Sequence, residues 1–257
     1  MFATLRAVFV LSVTMAYILL LGPPMLIYSL LAGNTRALYR VAMAGARMAM
    51  WLAGIRVEVL GRENILFHEP VVFMPNHQSI ADPPAVMVHL PIVLVLVKQE
   101  SFRVPVLGWA MRLHGFLPVS RRKNREEAIQ VVEQAAAALK SGHSFLVYPE
   151  GTRSPDGRLQ PFKKGVFVMA LKAGAPIVPI SVSGANKIMR KGEVALRPGV
   201  IRLTVHPPIS TAGMGLEARD KVMQQVRRAI LSGLAPEEWP LDAKENPTSL
   251  SAATKQL

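Results

Sequence analysis

The sequence predicts an α/β fold, with a mostly parallel or mixed sheet flanked by helices and preceded by an N-terminal helical element. Two observations predict this class. From residue 55 onward, short β-branched runs alternate with helical patterns, and an uncharged apolar segment lies before them. We therefore expect a helical element over residues 1–54, a main domain over 55–234 and a disordered tail over 235–257, where prolines and small polar residues collect.

The N-terminal segment is apolar enough to interact with a membrane. No charged residue lies between Arg6 and Arg36, and roughly 20 apolar residues cross the hydrocarbon core of a bilayer. Pro23 and Pro24 interrupt the segment and predict a kink or a break in its helix. A cleaved signal peptide is the alternative, but no clear small-residue cleavage site closes a short apolar region. We therefore expect a retained membrane element.

A second helix, over residues 36–54, carries arginines on one side. Arg36, Arg40 and Arg47 share a face at helical spacing, which suits contact with lipid headgroups. The alternative is an ordinary helix packed on the main domain with a solvated arginine face. Because more basic residues follow the apolar segment than precede it, the positive-inside bias predicts a cytoplasmic main domain.

The composition restricts the classes of partner. The formal net charge is +13 and the pI is about 10.5, which favours nucleic acid, an anionic bilayer or phosphorylated substrates. Only 16 of the 257 residues are aromatic and no nucleic-acid-binding motif occurs, so we expect a bilayer partner and no nucleic acid. The absence of cysteine excludes disulfides, and no His-Glu-x-x-His spacing suggests zinc. We therefore expect no metal site.

The main domain shows seven strand patterns separated by helical segments. The strand patterns lie at residues 55–60, 71–74, 92–97, 116–119, 144–148, 177–182 and 201–205. A capping box of Asn124 and Glu127 predicts a helix that runs to Lys140, and apolar spacing predicts a last helix over about 216–232. In such sheets ligands bind beyond the carboxyl ends of the strands, where the two most informative strings lie.

The first string, N-H-Q-S-I-A-D at residues 76–82, follows a buried-strand pattern. We expect His77 to act as a general base on a hydroxyl group, while Asp82 binds its second ring nitrogen and stabilises the imidazolium. No G-x-S-x-G nucleophile elbow occurs, so direct attack by a substrate alcohol is favoured over an acyl-enzyme. In the structural alternative, Asp82 only caps its helix and His77 only fills a turn.

The second string, Y-P-E-G-T-R-S at residues 148–154, also follows a strand pattern. Arg153 offers a planar fork suited to phosphate oxygens, and Gly151 lets the backbone approach a ligand closely. We include Glu150 and Thr152 in the same substrate-binding turn. Glu150 either holds Arg153 or binds a substrate hydroxyl, and the sequence leaves both roles open. The alternative is a turn with a Glu–Arg surface pair that binds nothing.

Further cations complement these strings. Arg121 ends the strand pattern at 116–119, and Lys163 with Lys164 precedes a predicted helix whose first amides suit a phosphate. For the neighbouring Arg122, Lys123 and Arg125, a solvated charge run is the favoured interpretation. A general base with an orienting carboxylate, next to cations that can bind an anion, is suited to acyl transfer to an alcohol that carries a phosphate.

Taken together, the strings resemble the glycerolipid acyltransferase family, most closely its bacterial 1-acyl-sn-glycerol-3-phosphate acyltransferases. The H-x-x-x-x-D and E-G-T-R motifs of that family look like residues 77–82 and 150–153, its glycine-to-arginine motif looks like 115–121, and its proline-containing strand looks like 178–180. Pro118 departs from the aromatic or branched residue that the family commonly carries in the glycine-to-arginine motif.

The resemblance implies an α/β acyltransferase domain tethered by a two-helix membrane element, with no metal or tightly held cofactor. It implies acyl-CoA or acyl-carrier protein as donor, lysophosphatidic acid as acceptor and phosphatidic acid as product, in phospholipid biosynthesis at the bacterial inner membrane. The acceptor phosphate would be held by Arg153, Arg121 and either Lys163 or Lys164. Another lysolipid or glycerol-3-phosphate as acceptor, or a non-catalytic lipid-binding protein, are the alternatives.

Overall fold

The computed structural model describes residues 2–120 and 125–241. Its strands are β1 (Ile55–Leu60), β2 (Val72–Pro75), β3 (Val93–Lys98), β4 (Leu117–Val119), β5 (Ser144–Leu146), β6 (Ile177–Ser183) and β7 (Gly199–Val205). They form one sheet in the order β1-β7-β6-β2-β5-β3-β4. Neighbouring strands run parallel except for β6 and β7. The prediction of a mixed, mostly parallel sheet is confirmed.

Helices flank this sheet and precede it. They are α1 (Phe2–Ala32), α2 (Arg36–Ala53), α3 (Asp82–Met87), α4 (Leu107–His114), α5 (Arg125–Lys140), α6 (Gly165–Ala173), α7 (Ala185–Ile188) and α8 (Arg219–Ser232). The helix predicted from the capping box is α5, although Asn124 itself lies outside the described residues. The last predicted helix begins three residues late, because Leu216–Ala218 form a 3₁₀ turn before α8.

Both faces of the sheet are covered. In β2, Phe73 packs into a core that α2 and α3 complete, whereas Val72 and Met74 pack into the opposite core with α6 and α8. All three side chains are fully buried. A strand that is covered on both sides has no solvent face, which explains why its sequence is continuously apolar rather than alternating.

Helix α1 continues through its two prolines. It spans 31 residues with Pro23 and Pro24 inside it, so of the predicted kink or break the break does not occur. Long apolar helical stretches lie on both sides of the prolines, and Gly22 packs closely against Val106, where an added Cβ would lie 2.3 Å from a Val106 methyl carbon. The most apolar window of α1 has a mean hydropathy of 2.0 and is 11% buried, so α1 is long and apolar enough to cross a membrane.

Helix α2 connects α1 to the main domain. The Tyr17 hydroxyl of α1 donates a hydrogen bond to the Val41 carbonyl at 2.8 Å, and the Tyr17 ring lies directly over Gly45. On the other side, the Arg47 guanidinium donates to the carbonyl of Val88 at 2.8 Å. The predicted arginine face is exposed at Arg36, Arg40 and Arg47. The helix therefore packs on both elements and still presents its cations outward.

The main domain extends beyond residue 234, where the disordered tail was predicted to begin. Glu238 is buried, its carboxylate accepts a hydrogen bond from the Gly184 amide at 2.8 Å, and its carbonyl accepts one from the Leu159 amide at 2.9 Å. Pro236 opens a short 3₁₀ helix, Pro236–Glu238, as proline suits a first helical position. The prediction is therefore wrong for residues 235–241, and residues 242–257 lie outside the described range.

A buried histidine predicts how stability depends on pH. The Ser181 hydroxyl donates to the Ile230 carbonyl at 2.6 Å, so it accepts from His206 Nε2 at 2.7 Å. Burial lowers the pKa of His206 from 6.5 to about 4. The unfolded chain therefore binds a proton first as the pH falls, and the contribution to stability is complete above pH 6.5 and lost towards pH 4.

We expect His206→Gln, which keeps a donor for Ser181, to flatten the pH dependence of the melting temperature. The difference corresponds to about 2 kcal/mol between pH 7.5 and pH 5. Thermal unfolding of both proteins in detergent at several pH values measures it. Parallel curves for the two proteins would contradict the assignment.

Candidate active site

The two informative strings meet at one edge of the sheet. Strand β2 precedes the first string and strand β5 precedes the second, and the two strands are parallel neighbours with Phe73 opposite Leu146. Because the carboxyl ends of adjacent parallel strands point the same way, the segments that follow them are brought together. His77 and Glu150 are therefore in contact although 73 positions separate them.

The predicted pair of His77 and Asp82 is formed. His77 Nδ1 lies 2.8 Å from Asp82 Oδ2, and the same oxygen accepts hydrogen bonds from the amides of Gln78 at 2.6 Å and Ser79 at 2.7 Å. The Asp82 side chain is fully buried, while that of His77 is 16% exposed. Asp82 thus binds the turn that precedes α3 rather than capping the helix. An acceptor on Nδ1 fixes the neutral tautomer in which Nε2 is free to take a proton.

Tyr148 fixes the plane of the imidazole. Its ring stacks on His77 with centroids 4.1 Å apart and an interplanar angle of 28°. Burial, and then the charge of Asp82, raise the pKa of Tyr148 well above its usual value, so the phenol stays neutral. Tyr148 belongs to the second string, but no role was predicted for it. Its stacking on His77 depends on the pairing of β2 with β5, which is a tertiary contact. Together, Asp82 and Tyr148 hold the ring at its edge and at its face.

Residues of the second string also form hydrogen bonds with the backbone of His77. The His77 amide donates to Glu150 Oε1 at 2.6 Å, and the His77 carbonyl accepts from the Ser154 amide at 2.7 Å. The other oxygen of Glu150 accepts from the Gln160 amide at 3.0 Å. Sequence reasoning assigned no role to Ser154 or Gln160, since backbone contacts of this kind leave no side-chain pattern.

Glu150 consequently has a different place from the one predicted. It is 3% exposed, and burial raises its pKa to about 8, while its backbone hydrogen bonds oppose that rise. Both carboxylate oxygens accept hydrogen bonds from backbone amides, and among the described residues no ion pair joins Glu150 to Arg153. Glu150 therefore holds the backbone of the site, a contact that only the tertiary fold creates by bringing the amides of His77 and Gln160 to it, and its contact with a substrate hydroxyl stays a prediction.

Gly151 allows the turn and a lysine to pack closely. Its φ of +67° lies in the left-handed region that disfavours other residues. An added Cβ would also lie 2.7 Å from both Cε and Nζ of Lys163. The Lys163 amide donates to the Pro149 carbonyl at 2.8 Å. The ammonium group of Lys163 is therefore held against the turn, where the sequence predicted a cation.

The predicted cations differ in how they are paired. Across the described ranges, neither Arg153 nor Lys163 has a side-chain hydrogen bond or an ion pair. Lys164 instead pairs with Asp220 of α8 at 3.4 Å, which leaves its charge partly compensated. Thr152 is partly exposed beside Arg153. Lys163 is therefore the better candidate of the two adjacent lysines for an anionic ligand.

The two remaining family motifs lie at or next to the predicted strands. Pro179 is part of β6, opposite Met74 of β2, and Gly115 ends α4 with a φ of +94°. Arg121 lies outside the described residues, so its contact with a phosphate stays a prediction. Over residues 2–120 and 125–241, no group of three His, Asp or Glu side chains is arranged to hold a metal ion.

Comparison with known proteins places this geometry in a family. A family model described as Acyltransferase matches residues 56–183, which include both strings. A 1-acyl-sn-glycerol-3-phosphate acyltransferase from Pseudomonas aeruginosa is 32% identical over 205 residues, covering 78% of this chain and 79% of that protein. The chain belongs to this acyltransferase family.

Other acyltransferases show the same relation. A chloroplastic 1-acyl-sn-glycerol-3-phosphate acyltransferase from Brassica napus is 37% identical over 176 residues, and the match spans about half of that longer protein, 51%. The crystal structure of the 1-acyl-sn-glycerophosphate acyltransferase PlsC from Thermotoga maritima superposes with a TM-score of 0.78 at 27% identity, covering 90% of this chain and 94% of that one. The acyltransferase fold thus accounts for nearly the whole chain.

Proposed function

We propose that this acyltransferase transfers an acyl chain from acyl-CoA or acyl-carrier protein to the sn-2 hydroxyl of 1-acyl-sn-glycerol-3-phosphate, giving phosphatidic acid. The observation that carries the proposal is the hydrogen bond from His77 Nδ1 to the buried Asp82. It leaves Nε2 as a base for an alcohol in a site whose neighbouring turn bears unpaired cations.

The reaction needs one proton to move twice. His77 Nε2 takes the proton of the sn-2 hydroxyl while the oxygen attacks the thioester carbonyl, and Asp82 stabilises the imidazolium that forms. Collapse of the tetrahedral intermediate breaks the carbon–sulfur bond, and the imidazolium protonates the leaving thiolate. The ester and a free thiol result, and the base is restored without an acyl-enzyme.

Charge near the base favours an acceptor that carries phosphate. Arg153 provides a planar fork for two phosphate oxygens, and Lys163 provides an ammonium group held against Gly151. Arg121 would add a third cation. A neutral acceptor would leave these cations without a counter-charge. Their presence therefore supports lysophosphatidic acid over an uncharged glyceride as the acceptor.

We further propose attachment to the bacterial inner membrane with the catalytic domain facing the cytoplasm. Most large side chains of α1 are exposed, among them Leu20, Leu30 and Leu31, and a bilayer would cover them. The positive-inside bias supports the orientation. Under this proposal the lipid acceptor reaches His77 from the cytoplasmic leaflet.

Thiol release by the detergent-purified protein tests the proposal. We expect release from acyl-CoA or acyl-carrier protein to depend on lysophosphatidic acid, and mass spectrometry to identify phosphatidic acid. Glycerol-3-phosphate and lysophosphatidylcholine serve as comparison acceptors, and the two donors are assayed in parallel. A preference for another acceptor would reassign the substrate, and phosphatidate binding without thiol release would indicate a lipid-binding protein.

A further inference from the structure

A loop outside all four sequence motifs contacts both strings of the active site. It comprises residues 189–197 and follows α7. The Ser79 hydroxyl of the first string donates to the Met189 carbonyl at 2.8 Å. Lys191 Nζ donates to the Arg153 carbonyl of the second string at 2.9 Å and lies 3.4 Å from the Thr152 hydroxyl oxygen. One loop therefore links the base-bearing turn to the turn that carries the arginine.

The backbone of this loop is anchored without the help of Lys191. The Arg197 amide donates to the Ile188 carbonyl at 2.9 Å, and the Leu196 amide donates to the Ala3 carbonyl in the first turn of α1 at 3.1 Å. A surface lysine usually loses about 1.5–2 kcal/mol of side-chain entropy when it is ordered. Because the backbone is held on both sides of Lys191, its ammonium group starts from fewer positions. Less entropy is therefore lost when the side chain is ordered against the turn.

The charge of Lys191 is also unbalanced. Within the part of the chain that the structure describes, no carboxylate pairs with Lys191, Arg153 or Lys163. By contrast, the two arginines of the same loop are paired with a carboxylate. Glu193 lies 3.9 Å from Arg190 and 2.9 Å from Arg197. Three uncompensated cations around one turn create a positive potential that favours an anion.

We propose that Lys191 is a positioning residue for the phosphate of the acceptor. Its ammonium group holds the Arg153 carbonyl and the Thr152 hydroxyl, and thereby sets the direction in which the Arg153 side chain leaves the turn. Its charge adds to the potential that attracts the phosphate. This inference rests on the proposed function, because it takes the acceptor to be a lipid with a phosphate monoester.

The variant Lys191→Met tests it, since methionine keeps an unbranched apolar stem and removes the donors and the charge. We expect the KM for lysophosphatidic acid to rise about tenfold, as for the loss of one charge-assisted hydrogen bond. The KM for acyl-CoA and kcat should stay within about twofold, because Lys191 contacts neither His77 nor Asp82 and its proposed role concerns the acceptor alone. Lys191→Arg, which can still donate to the carbonyl, should restore most of the acceptor affinity.

Lys187→Met is the matched control. Lys187 lies in α7 just before the loop, is exposed and pairs with Glu237 at 3.0 Å, so its loss changes the net charge equally without touching the turn. We expect its KM values to equal those of the wild type. An unchanged KM in Lys191→Met, an equal rise in both variants, or a rise confined to acyl-CoA would each overturn the inference.

Two measurements made first separate this inference from the proposed function. Product formation by the wild type shows whether phosphatidic acid is made at all, and melting temperatures show whether each variant is folded. Failure of the proposed function appears as missing product in the wild type. Failure of the role of Lys191 appears as unaltered acceptor kinetics in an enzyme that makes the product.

Discussion

Replacement of His77 by alanine is expected to lower kcat by about 10²–10⁴-fold, the range that a positioned general base contributes. Asp82 occupies Nδ1 at 2.8 Å and Tyr148 stacks on the ring, so Nε2 is the nitrogen left to accept the hydroxyl proton. Truncation removes that acceptor but keeps the backbone hydrogen bonds of residue 77 to Glu150 and Ser154. The fold should therefore survive. Thiol release under saturating donor and acceptor measures the loss.

His143→Ala provides a matched control for this experiment. His143 is exposed, and its ring lies 3.3 Å from the Ser141 hydroxyl oxygen in the turn after α5. Its removal should leave kcat and the melting temperature close to those of the wild type. A folded His77→Ala protein with a kcat similar to that of His143→Ala would show that another group accepts the proton.

Asp82→Asn is expected to lower kcat by up to about 10⁴-fold, the loss seen when the orienting aspartate of a catalytic triad becomes asparagine. Three donors converge on Oδ2 of Asp82: the His77 ring and the amides of Gln78 and Ser79. The other oxygen, Oδ1, is buried without a hydrogen-bond partner among the described residues. An asparagine oxygen can take the Oδ2 position and accept the same donors. The substitution therefore removes the negative charge that stabilises the imidazolium, and it leaves one buried amide donor at the Oδ1 position without a partner among the described residues.

Comparison with Asp82→Ala separates charge from structure. Alanine leaves the two amides of the turn without an acceptor, which costs about 1–3 kcal/mol for each buried group. We expect Asp82→Ala to lower both kcat and the melting temperature, and Asp82→Asn to lower mainly kcat. If Asp82→Asn retained wild-type kcat, the carboxylate would serve only to hold the turn, as in the structural alternative for this string.

The sheet could be predicted closely from local pattern. Each predicted strand overlaps an observed one, because a strand covered on both faces, such as β2, leaves a continuous apolar run, and the edge strand β1 leaves an alternating pattern. Two expectations about organisation differ from the structure for the same reason: the break that was one alternative at Pro23 and Pro24, and the tail that was expected from residue 235. Proline lowers the local stability of a helix interior, but tertiary packing can compensate for that loss. Val106 packs against Gly22, and Glu238 binds the Gly184 amide.

The sequence by itself determined the group that is local in the chain, the His77–Asp82 pair, five positions apart. Local spacing sets such contacts, so a pattern can reveal them. Only the tertiary structure revealed the contacts of Tyr148 and Glu150 with His77 and of Lys191 with Arg153, because these contacts span 38 to 73 positions of the chain. Those contacts exist because β2 and β5 are neighbours in the sheet and the loop after α7 returns to the same edge, an order that no local pattern encodes.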